Sequence, residues 1–306
     1  MPSTPRKVDV RKGLLAAAIG GFFFTFDLPL LRLAESDPWT LVMGRGVFLF
    51  IAISLGWLIV RLKNRACEPF IDGIAGLGAM VTNMGAPIFY IFAMTNTAAA
   101  NVVFIMALVP LIGAILSRMV IGESVHPYTW AATAIAAIGV LIIVGGGIHF
   151  GTWFGDLCAL ASAFCTAASL VVIRASGKQL VTGLATGSLA SAILAIVVFG
   201  ASPQGLTHIA GFNMPAWFWI GFDGLVFIPL ALLLMTEGPK HIPSADVSMF
   251  FLLETILTPV WIWMISDEVP HGLALVGGCI IIVTLLTYFR WRLRSTLKLS
   301  PALQES

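Results

Sequence analysis

The sequence is divided into long apolar runs that short, turn-like breaks separate. Each run has about the 20 residues that a helix needs to cross a bilayer. The runs cover residues 13–32, 39–60, 72–95, 98–121, 128–147, 153–173, 180–201, 215–236, 243–265 and 271–289. Only 10% of the 306 residues are charged, whereas a soluble domain carries about 25%. We therefore predict an all-α integral membrane protein with ten transmembrane helices.

The distribution of basic residues predicts which ends of the helices face the cytoplasm. If the N-terminus lies inside, all of the 17 Lys and Arg residues except Arg32 and Arg45 fall on the cytoplasmic side. The predicted outer breaks carry acidic residues instead: Glu35, Asp37, Asp267 and Glu268. We expect two cytoplasmic tails, 1–12 and 291–306, in a bacterial inner membrane. The arginines of the second tail are expected to contact anionic membrane lipid.

Two stretches half a chain apart, 97–127 and 242–270, share one pattern. Each opens with a polar turn, continues with a long apolar run and closes on a glutamate, Glu123 or Glu268. We interpret Asn101, near the start of the first stretch, as a helix cap. The repetition indicates a duplicated membrane protein.

Five predicted helices per half have a geometric consequence. After an odd number of spans, the second copy enters the membrane from the opposite side. We therefore predict two inverted five-helix repeats, 13–147 and 151–290. Transporters of this architecture bind substrate near the midplane between their repeats.

The same residues resemble the EamA-type members of the drug/metabolite transporter superfamily. The first half contains A-x-T-x-T-A-A-A-N-V-x-F-I-M-A-L-V-P-L, and the second begins with G-D-L-C-A-L-A-S-A-F. The ninth run reads L-L-E-T-I-L-T-P-V-W-I-W-M-I-S-D-E-V-P, and the resemblance covers about residues 13 to 290. It implies a ten-helix permease for small metabolites, amino acids, cofactors or drugs, often exported against protons. Two departures, F-F-F-T-F-D in the first run and Asp223 in the eighth, leave the substrate undefined.

Three polar residues lie near the middle of predicted helices. They are Glu254, Asp223 and Asn83. A charge at the bilayer centre costs about 2.5–3.5 kcal/mol, so each carboxylate needs a reason to be there. We predict a polar cluster that faces a central cavity and binds substrate or a proton. The alternative is a protonated carboxyl group that only bonds a neighbouring helix.

Asp27 and Arg45 form a second candidate pair. Adjacent antiparallel helices would hold them at one depth, where each offsets the burial of the other. They are either a structural ion pair or an outer gate whose opening frees Arg45 for a substrate carboxylate. The family resemblance also implies an arginine at this place in the second helix.

Four prolines, Pro87, Pro110, Pro229 and Pro259, fall inside predicted helices. Each removes a backbone hydrogen bond, so we interpret them as gating or hinge points. The sequence contains no H-E-x-x-H, P-loop or G-x-S-x-G motif. We therefore predict no catalytic residues, metal site, cofactor or nucleic-acid partner.

The leading hypothesis is a secondary active transporter of a small polar or amphipathic metabolite. We expect an exporter coupled to protons that works by alternating access around a central site between the repeats. An importer of the same build, for an amino acid, cofactor or nucleotide-like solute, stays open. So does an intramembrane lipid-modifying enzyme. The sequence does not set the substrate, the direction, the coupling ion or the oligomeric state, a homodimer included.

Overall fold

The computed structural model describes most of the chain as helices. The described residues are 10–63, 69–71, 73–122, 126–147, 153–178, 180–238, 241–242, 247, 250, 252–266 and 272–302. Within them, β-structure is limited to one isolated antiparallel bridge between Ile209 and Pro215. The two glutamates on which the halves were aligned, Glu123 and Glu268, lie outside the described residues.

Helical segments follow one another with short connections. The first half contains α1 (Val10–Phe24), α2 (Asp27–Leu33), α3 (Pro38–Lys63), α4 (Gly73–Asn96), α5 (Ala99–Met106), α6 (Val109–Ile121) and α7 (Pro127–Gly147). The second half contains α8 (Trp153–Ser176), α9 (Val181–Phe199), α10 (Ala216–Phe222), a π-helical turn (Asp223–Phe227), α11 (Ile228–Glu237), α12 (Leu252–Ser266) and α13 (Gly272–Ala302). Two short 3₁₀ turns, Pro203–Leu206 and Gly211–Asn213, lie between α9 and α10.

Seven helical segments of the described part are long and apolar enough to cross a membrane. They are Arg11–Leu33, Pro38–Lys63, Gly73–Asn96, Ala99–Ile121, Trp153–Ser176, Val181–Phe199 and Ala216–Glu237. These seven coincide with predicted runs, and α7, α12 and α13 lie within or across the other three. The prediction of a helical integral membrane protein is confirmed.

The first predicted helix is broken in the middle, which the sequence pattern did not indicate. α1 and α2 are separated at Thr25 and Phe26. The Thr25 carbonyl accepts a hydrogen bond from Thr258 Oγ1 at 3.1 Å, and Thr25 Oγ1 accepts one from Trp261 Nε1 at 3.1 Å. In a bilayer, backbone groups that a break exposes need such partners, because no water is there to replace them. Two side chains of α12 therefore stabilise the break.

The fourth predicted helix is also divided, at the turn between α5 and α6. Pro110 lies in the first turn of α6, where a backbone N–H has no intrahelical partner. Asn101 is not the helix cap that the sequence suggested, because Ala98 takes that position. Its Nδ2 donates instead to Thr97 Oγ1 at 3.1 Å and to Asp156 Oδ1 at 3.4 Å. Asn101 thus joins α5 to the start of α8.

Helices of the two halves pack against each other. α8 lies along α4, α1 lies along α11, and α9 packs on both α3 and α4. Small residues allow the close approaches: a Cβ on Gly155 would lie 2.8 Å from the Asn96 carbonyl carbon. A Cβ on Gly13 would lie 2.8 Å from His241 Cβ. The hydrophobic core runs continuously through both halves.

Candidate functional site: a buried ionic cluster beside a central cavity

A cavity of about 90 Å³ lies at the centre of the bundle, between helices of both halves. One water needs about 10–15 Å³ measured in this way, so the cavity has room for several waters. Part of its wall is ionisable: Asp27, Arg45, Tyr90 and Glu254. Another part carries neutral polar groups: Asn83, Ser162, Thr166, Ser169, Ser188 and Thr236. The cavity therefore offers a charged region and a hydrogen-bonding region to a solute.

Arg45 of α3 is the central group of the ionic cluster. Its Nη2 donates to Asp27 Oδ2 at 2.7 Å, and both side chains are almost completely buried. Asp27 is the first residue of α2, directly after the break in the first helix. The positive end of the helix dipole favours a carboxylate at such a position. The structure thus brings together the pair that the sequence placed at one depth.

Asp223 approaches Arg45 from the second half of the chain. Its Oδ2 lies 3.5 Å from Arg45 Nε, and the side chain is fully buried. Asp223 begins the π-helical turn between α10 and α11, and such turns often occur at functional sites. The next residue, Gly224, permits the contact, because a Cβ there would lie 2.8 Å from Phe48 Cβ. Neither carboxylate oxygen of Asp223 accepts a hydrogen bond within the described part of the chain.

Glu254 of α12 is linked to the cluster through a tyrosine. The Tyr90 hydroxyl donates to Glu254 Oε1 at 2.8 Å, and both residues are buried. The guanidinium of Arg45 lies over the Tyr90 ring, 5.6 Å from its centroid. Such a contact is attractive because the ring face is electron-rich. Tyr90 therefore connects Arg45 with the carboxylate of the second half.

Sequence reasoning missed Tyr90, whereas it expected Asn83 to face the central cavity together with Asp223 and Glu254. A tyrosine in an apolar run is usually interfacial, although its spacing from Pro87 on α4 placed it near the predicted site. Asn83 lies on the cavity wall, but its Nδ2 donates to Leu184 O at 2.7 Å and to Ser188 Oγ at 2.9 Å. It thus bonds α9 rather than Asp223 or Glu254. Along α4, Asn83 and Tyr90 are separated by about 10 Å at about 1.5 Å per residue.

The four prolines that were interpreted as hinges occupy two kinds of position in their helices. Pro87 and Pro259 lie inside α4 and α12, whereas Pro110 and Pro229 lie in the first turns of α6 and α11. Pro87 also lines the central cavity. Each of the four is therefore next to a segment that borders the cluster or a helix break.

The charges of the described cluster do not balance. Three carboxyl groups, those of Asp27, Asp223 and Glu254, surround one guanidinium. Burying an unpaired charge is strongly unfavourable, so the excess acidic groups need protons or a cationic ligand. Among the described residues, no three His, Cys, Asp or Glu side chains are grouped to hold a metal ion. The cluster can bind and release protons, and Arg45 can bind an anionic group when an aspartate leaves it.

Comparisons with known proteins agree with this description of a membrane bundle. The model of the EamA-like transporter family matches residues 11–145. The uncharacterized transporter sll1164 of Synechocystis is 22% identical over 226 residues, covering 69% of this chain and 63% of that protein. The pseudopaline exporter CntI of Pseudomonas aeruginosa is 22% identical over 298 residues, covering 92% of this chain and 97% of the exporter.

A solved crystal structure shares the fold. It superposes with a TM-score of 0.65 at 16% sequence identity, over 90% of this chain and 96% of that one. At this identity the similarity concerns the fold alone. The family match, the alignments with transporters and the apolar helices point to one class of membrane transporter. Residues 11–145 thus match the EamA-like transporter family, and together these findings support an EamA-type permease of the drug/metabolite transporter superfamily.

Proposed function

We propose that this transporter is a proton-coupled secondary exporter of a small polar or amphipathic metabolite. It works by alternating access to a central site between two inverted five-helix repeats. The observation that carries the proposal is the ionic cluster of Arg45, Asp27, Asp223, Tyr90 and Glu254 beside the central cavity. Both halves of the chain contribute to it. A change in the packing of the halves would therefore change the cluster.

The packing of the helices supports the inverted repeats. α8 of the second half lies along α4 of the first, and α1 of the first half lies along α11 of the second. Each contact has a glycine near the start of the entering helix, Gly155 or Gly13, against the end of the partner helix. Reciprocal contacts of this kind are expected when two copies insert in opposite orientations. With α7, α12 and α13 counted as spans, the chain has ten.

The charge balance of the cluster supports proton coupling. When the cavity is closed to water, the excess carboxyl groups need a proton or a cationic substrate group. When it opens, water can solvate the carboxylate and the proton can leave. We assign this role to Glu254 and Asp223. The Asp27–Arg45 pair acts as a gate, since an anionic substrate group can replace Asp27 on Arg45.

The prolines provide places where the helices can bend. Pro259 follows Glu254 by five residues on α12, and Pro87 precedes Tyr90 by three on α4. Neither proline donates a backbone hydrogen bond, so the helix resists bending less at these points. We propose that α4 and α12 bend there when the site changes its side of access. Pro110 and Pro229 lie in the first turns of α6 and α11, so there we assign the bending to the adjacent turn between α5 and α6 and to the π-helical turn before α11.

The relatives and the charge distribution support a direction of transport and a location for the protein. One relative is named as an exporter, and the two relatives named above are bacterial. We therefore propose export across a bacterial inner membrane, with both termini in the cytoplasm. The basic residues concentrate at that side by the positive-inside rule.

Metabolite profiling followed by reconstitution tests the proposal. Medium and cells are compared by mass spectrometry with and without expression, and a compound that leaves the cells is then tested for counterflow in proteoliposomes. We expect uptake or release to respond to an imposed pH gradient, and Glu254→Gln to remove that response. The control is Glu35→Gln, since Glu35 is an exposed carboxylate away from the cavity.

The possible outcomes separate the alternatives. A compound that accumulates in cells on expression would make the protein an importer of the same build. Counterflow without any response to pH would remove the proton from the mechanism. A compound that is chemically changed by the protein would indicate an intramembrane enzyme instead.

A further inference from the structure

A second cavity lies far from the ionic cluster, on the side of the bundle where α7 packs against α13. Its volume is about 700 Å³, and it shares no lining residue with the central cavity. Its lining is formed by Tyr128, Ala131, Ala132, Ile135, Cys279, Ile280, Val283, Thr284, Thr287 and Tyr288. Several of these, including Ile135 and Val283, are exposed on the outer surface of the bundle. We call this cavity the α7–α13 groove.

The walls of the groove are apolar despite their hydroxyl groups. Thr284 Oγ1 donates to Ile280 O at 2.7 Å, and Thr287 Oγ1 donates to Val283 O at 2.7 Å. The Tyr288 hydroxyl is 3.3 Å from Thr129 Oγ1. These hydroxyls are therefore already bonded within the protein. An occupant therefore meets a wall that is mostly hydrocarbon.

The length of the groove matches one leaflet of a bilayer. Along α13 it extends from Cys279 to Tyr288. At about 1.5 Å per residue this distance is about 14 Å, which is about half of the 30 Å hydrocarbon core. The groove thus runs from near the middle of the membrane to one interface. An acyl chain of a single leaflet has this reach.

The interfacial end of the groove has the features of a headgroup region. Tyr128 and Trp291 stack with ring centroids 4.7 Å apart, and His126 lies 4.7 Å from the same Trp291 ring. Aromatic residues of this kind concentrate at the level of lipid headgroups. Arg290 is exposed beside them. The sequence of α13 then continues with three more basic residues: Arg292, Arg294 and Lys298.

We propose that the α7–α13 groove binds an acyl chain of an anionic phospholipid from the leaflet at the basic end of α13. Arg290, which is exposed at this end of the groove, holds the headgroup. Charge complementarity selects the occupant, because a cluster of Lys and Arg next to a span attracts anionic headgroups. The site is separate from the transport site, so it holds or fails independently of the proposed transport reaction.

Lipid retention by the full-length protein tests the site. Delipidated protein in detergent is titrated with phosphatidylglycerol or with phosphatidylcholine of the same acyl chains, and bound lipid is counted by native mass spectrometry. We expect phosphatidylglycerol to bind with one tight site. Ala131→Phe fills the groove and should raise the dissociation constant at least about tenfold. Ala134→Phe, on an exposed position of α7 outside the groove lining, should leave it unchanged.

The headgroup contact is tested in the same titration. Arg290→Gln should reduce phosphatidylglycerol binding towards the level of phosphatidylcholine. Arg118→Gln, which removes an exposed arginine of α6, should not. Equal binding of the two lipids by the unsubstituted protein would overturn the anionic assignment. Equal effects of Ala131→Phe and Ala134→Phe would overturn the groove as the site.

A second measurement covers the case in which Ala131→Phe does not fold. Cys279, exposed in the groove, is labelled with a fluorophore after the other cysteines are replaced by alanine. Phosphatidylglycerol with brominated acyl chains should quench this label at a lower mole fraction than brominated phosphatidylcholine. Equal quenching by both contradicts the proposal. A dimer without bound lipid that Ala131→Phe dissociates would assign the groove to a second copy of the chain instead.

Discussion

The two similar stretches, 97–127 and 242–270, carry different side chains at corresponding places. In the first stretch α6 begins at Val109, with Pro110 in its first turn, whereas in the second α12 begins at Leu252 and continues through Pro259. When the closing glutamates are aligned, Glu254 of α12 corresponds to Val109, the first residue of α6. Both residues lie in the first turn of their helices, but of the two only Glu254 supplies a carboxylate to the cluster.

The difference shows that the packing of the helices and the candidate site depend on different residues of these two stretches. α12 presents one face to the first half: Glu254 bonds Tyr90, Thr255 Oγ1 donates to Val103 O at 3.1 Å, and Thr258 bonds Thr25. In the first copy, Asn101 makes a corresponding link to α8 of the second half. Both copies thus hold the opposite half, but in the described part only α12 does so with an acid at the cavity. Substitutions in the ionic cluster and on this face of α12 test whether the site and the packing depend on different residues.

The largest effect is expected from Arg45→Gln. It leaves Asp27 and Asp223 buried without their cation, and breaking a buried pair in this way costs about 3–5 kcal/mol. We expect a large loss in the free energy of unfolding in detergent, together with loss of transport. Asp27→Asn in addition to Arg45→Gln should recover part of the stability. If Arg45→Gln unfolds at the same denaturant concentration as the unsubstituted protein, the cluster is not held by Arg45.

The next effect concerns function more than stability. In Glu254→Gln the amide oxygen still accepts the Tyr90 hydroxyl, so stability should change by less than about 1 kcal/mol. We expect transport driven by a pH gradient to fall at least about tenfold, equivalent to about 1.4 kcal/mol. Proteoliposome flux at several pH values measures it. Glu254→Val, which gives α12 the residue of the first copy, should abolish the flux while Val109→Glu leaves the defect unrepaired.

The transmembrane helices could be predicted from the sequence better than the candidate site, for a physical reason. Apolar runs and basic residues report on the contact with lipid and on the side of the membrane, which are local properties. To predict that Asp27 pairs with Arg45, it was enough to estimate the depth of each residue in two adjacent helices. Depth does not define the direction in which a side chain points around its helix. Asn83 was therefore grouped with Asp223 and Glu254, although it bonds α9.

The positions of the helix breaks could not be predicted from the sequence, for a related reason. The break at Thr25 depends on Thr258 and Trp261, which are more than two hundred residues away along the chain. Asp27 and Pro29 interrupt an otherwise apolar run, but they do not by themselves place the break at Thr25. Tyr90 acquires its role only through Glu254, a residue of the other half. Such contacts appear only once the halves are packed.

Thr258→Val should have an intermediate effect on stability. In a continuous helix the Thr25 carbonyl would accept from the N–H of residue 29, but that residue is Pro29 and has none. Thr258 supplies the donor, so its loss leaves a carbonyl without that partner inside the membrane. Side-chain hydrogen bonds between membrane helices average about 0.6 kcal/mol and reach about 1.7 kcal/mol. We expect the free energy of unfolding, measured by equilibrium unfolding, to fall by an amount in the upper part of this range. The control is Thr287→Val, whose hydroxyl bonds only its own helix among the described residues.

The smallest effect is expected from Thr255→Val, although its hydrogen bond has the same length as that of Thr258. The Val103 carbonyl, which accepts from Thr255, also accepts from the Ala107 N–H at 3.2 Å. The carbonyl therefore keeps a partner when the hydroxyl is removed. We expect a loss below about 0.6 kcal/mol, the average for such bonds. A loss equal to that of Thr258→Val would mean that the bond of α12 to α5 contributes as much to stability as its bond to the break at Thr25.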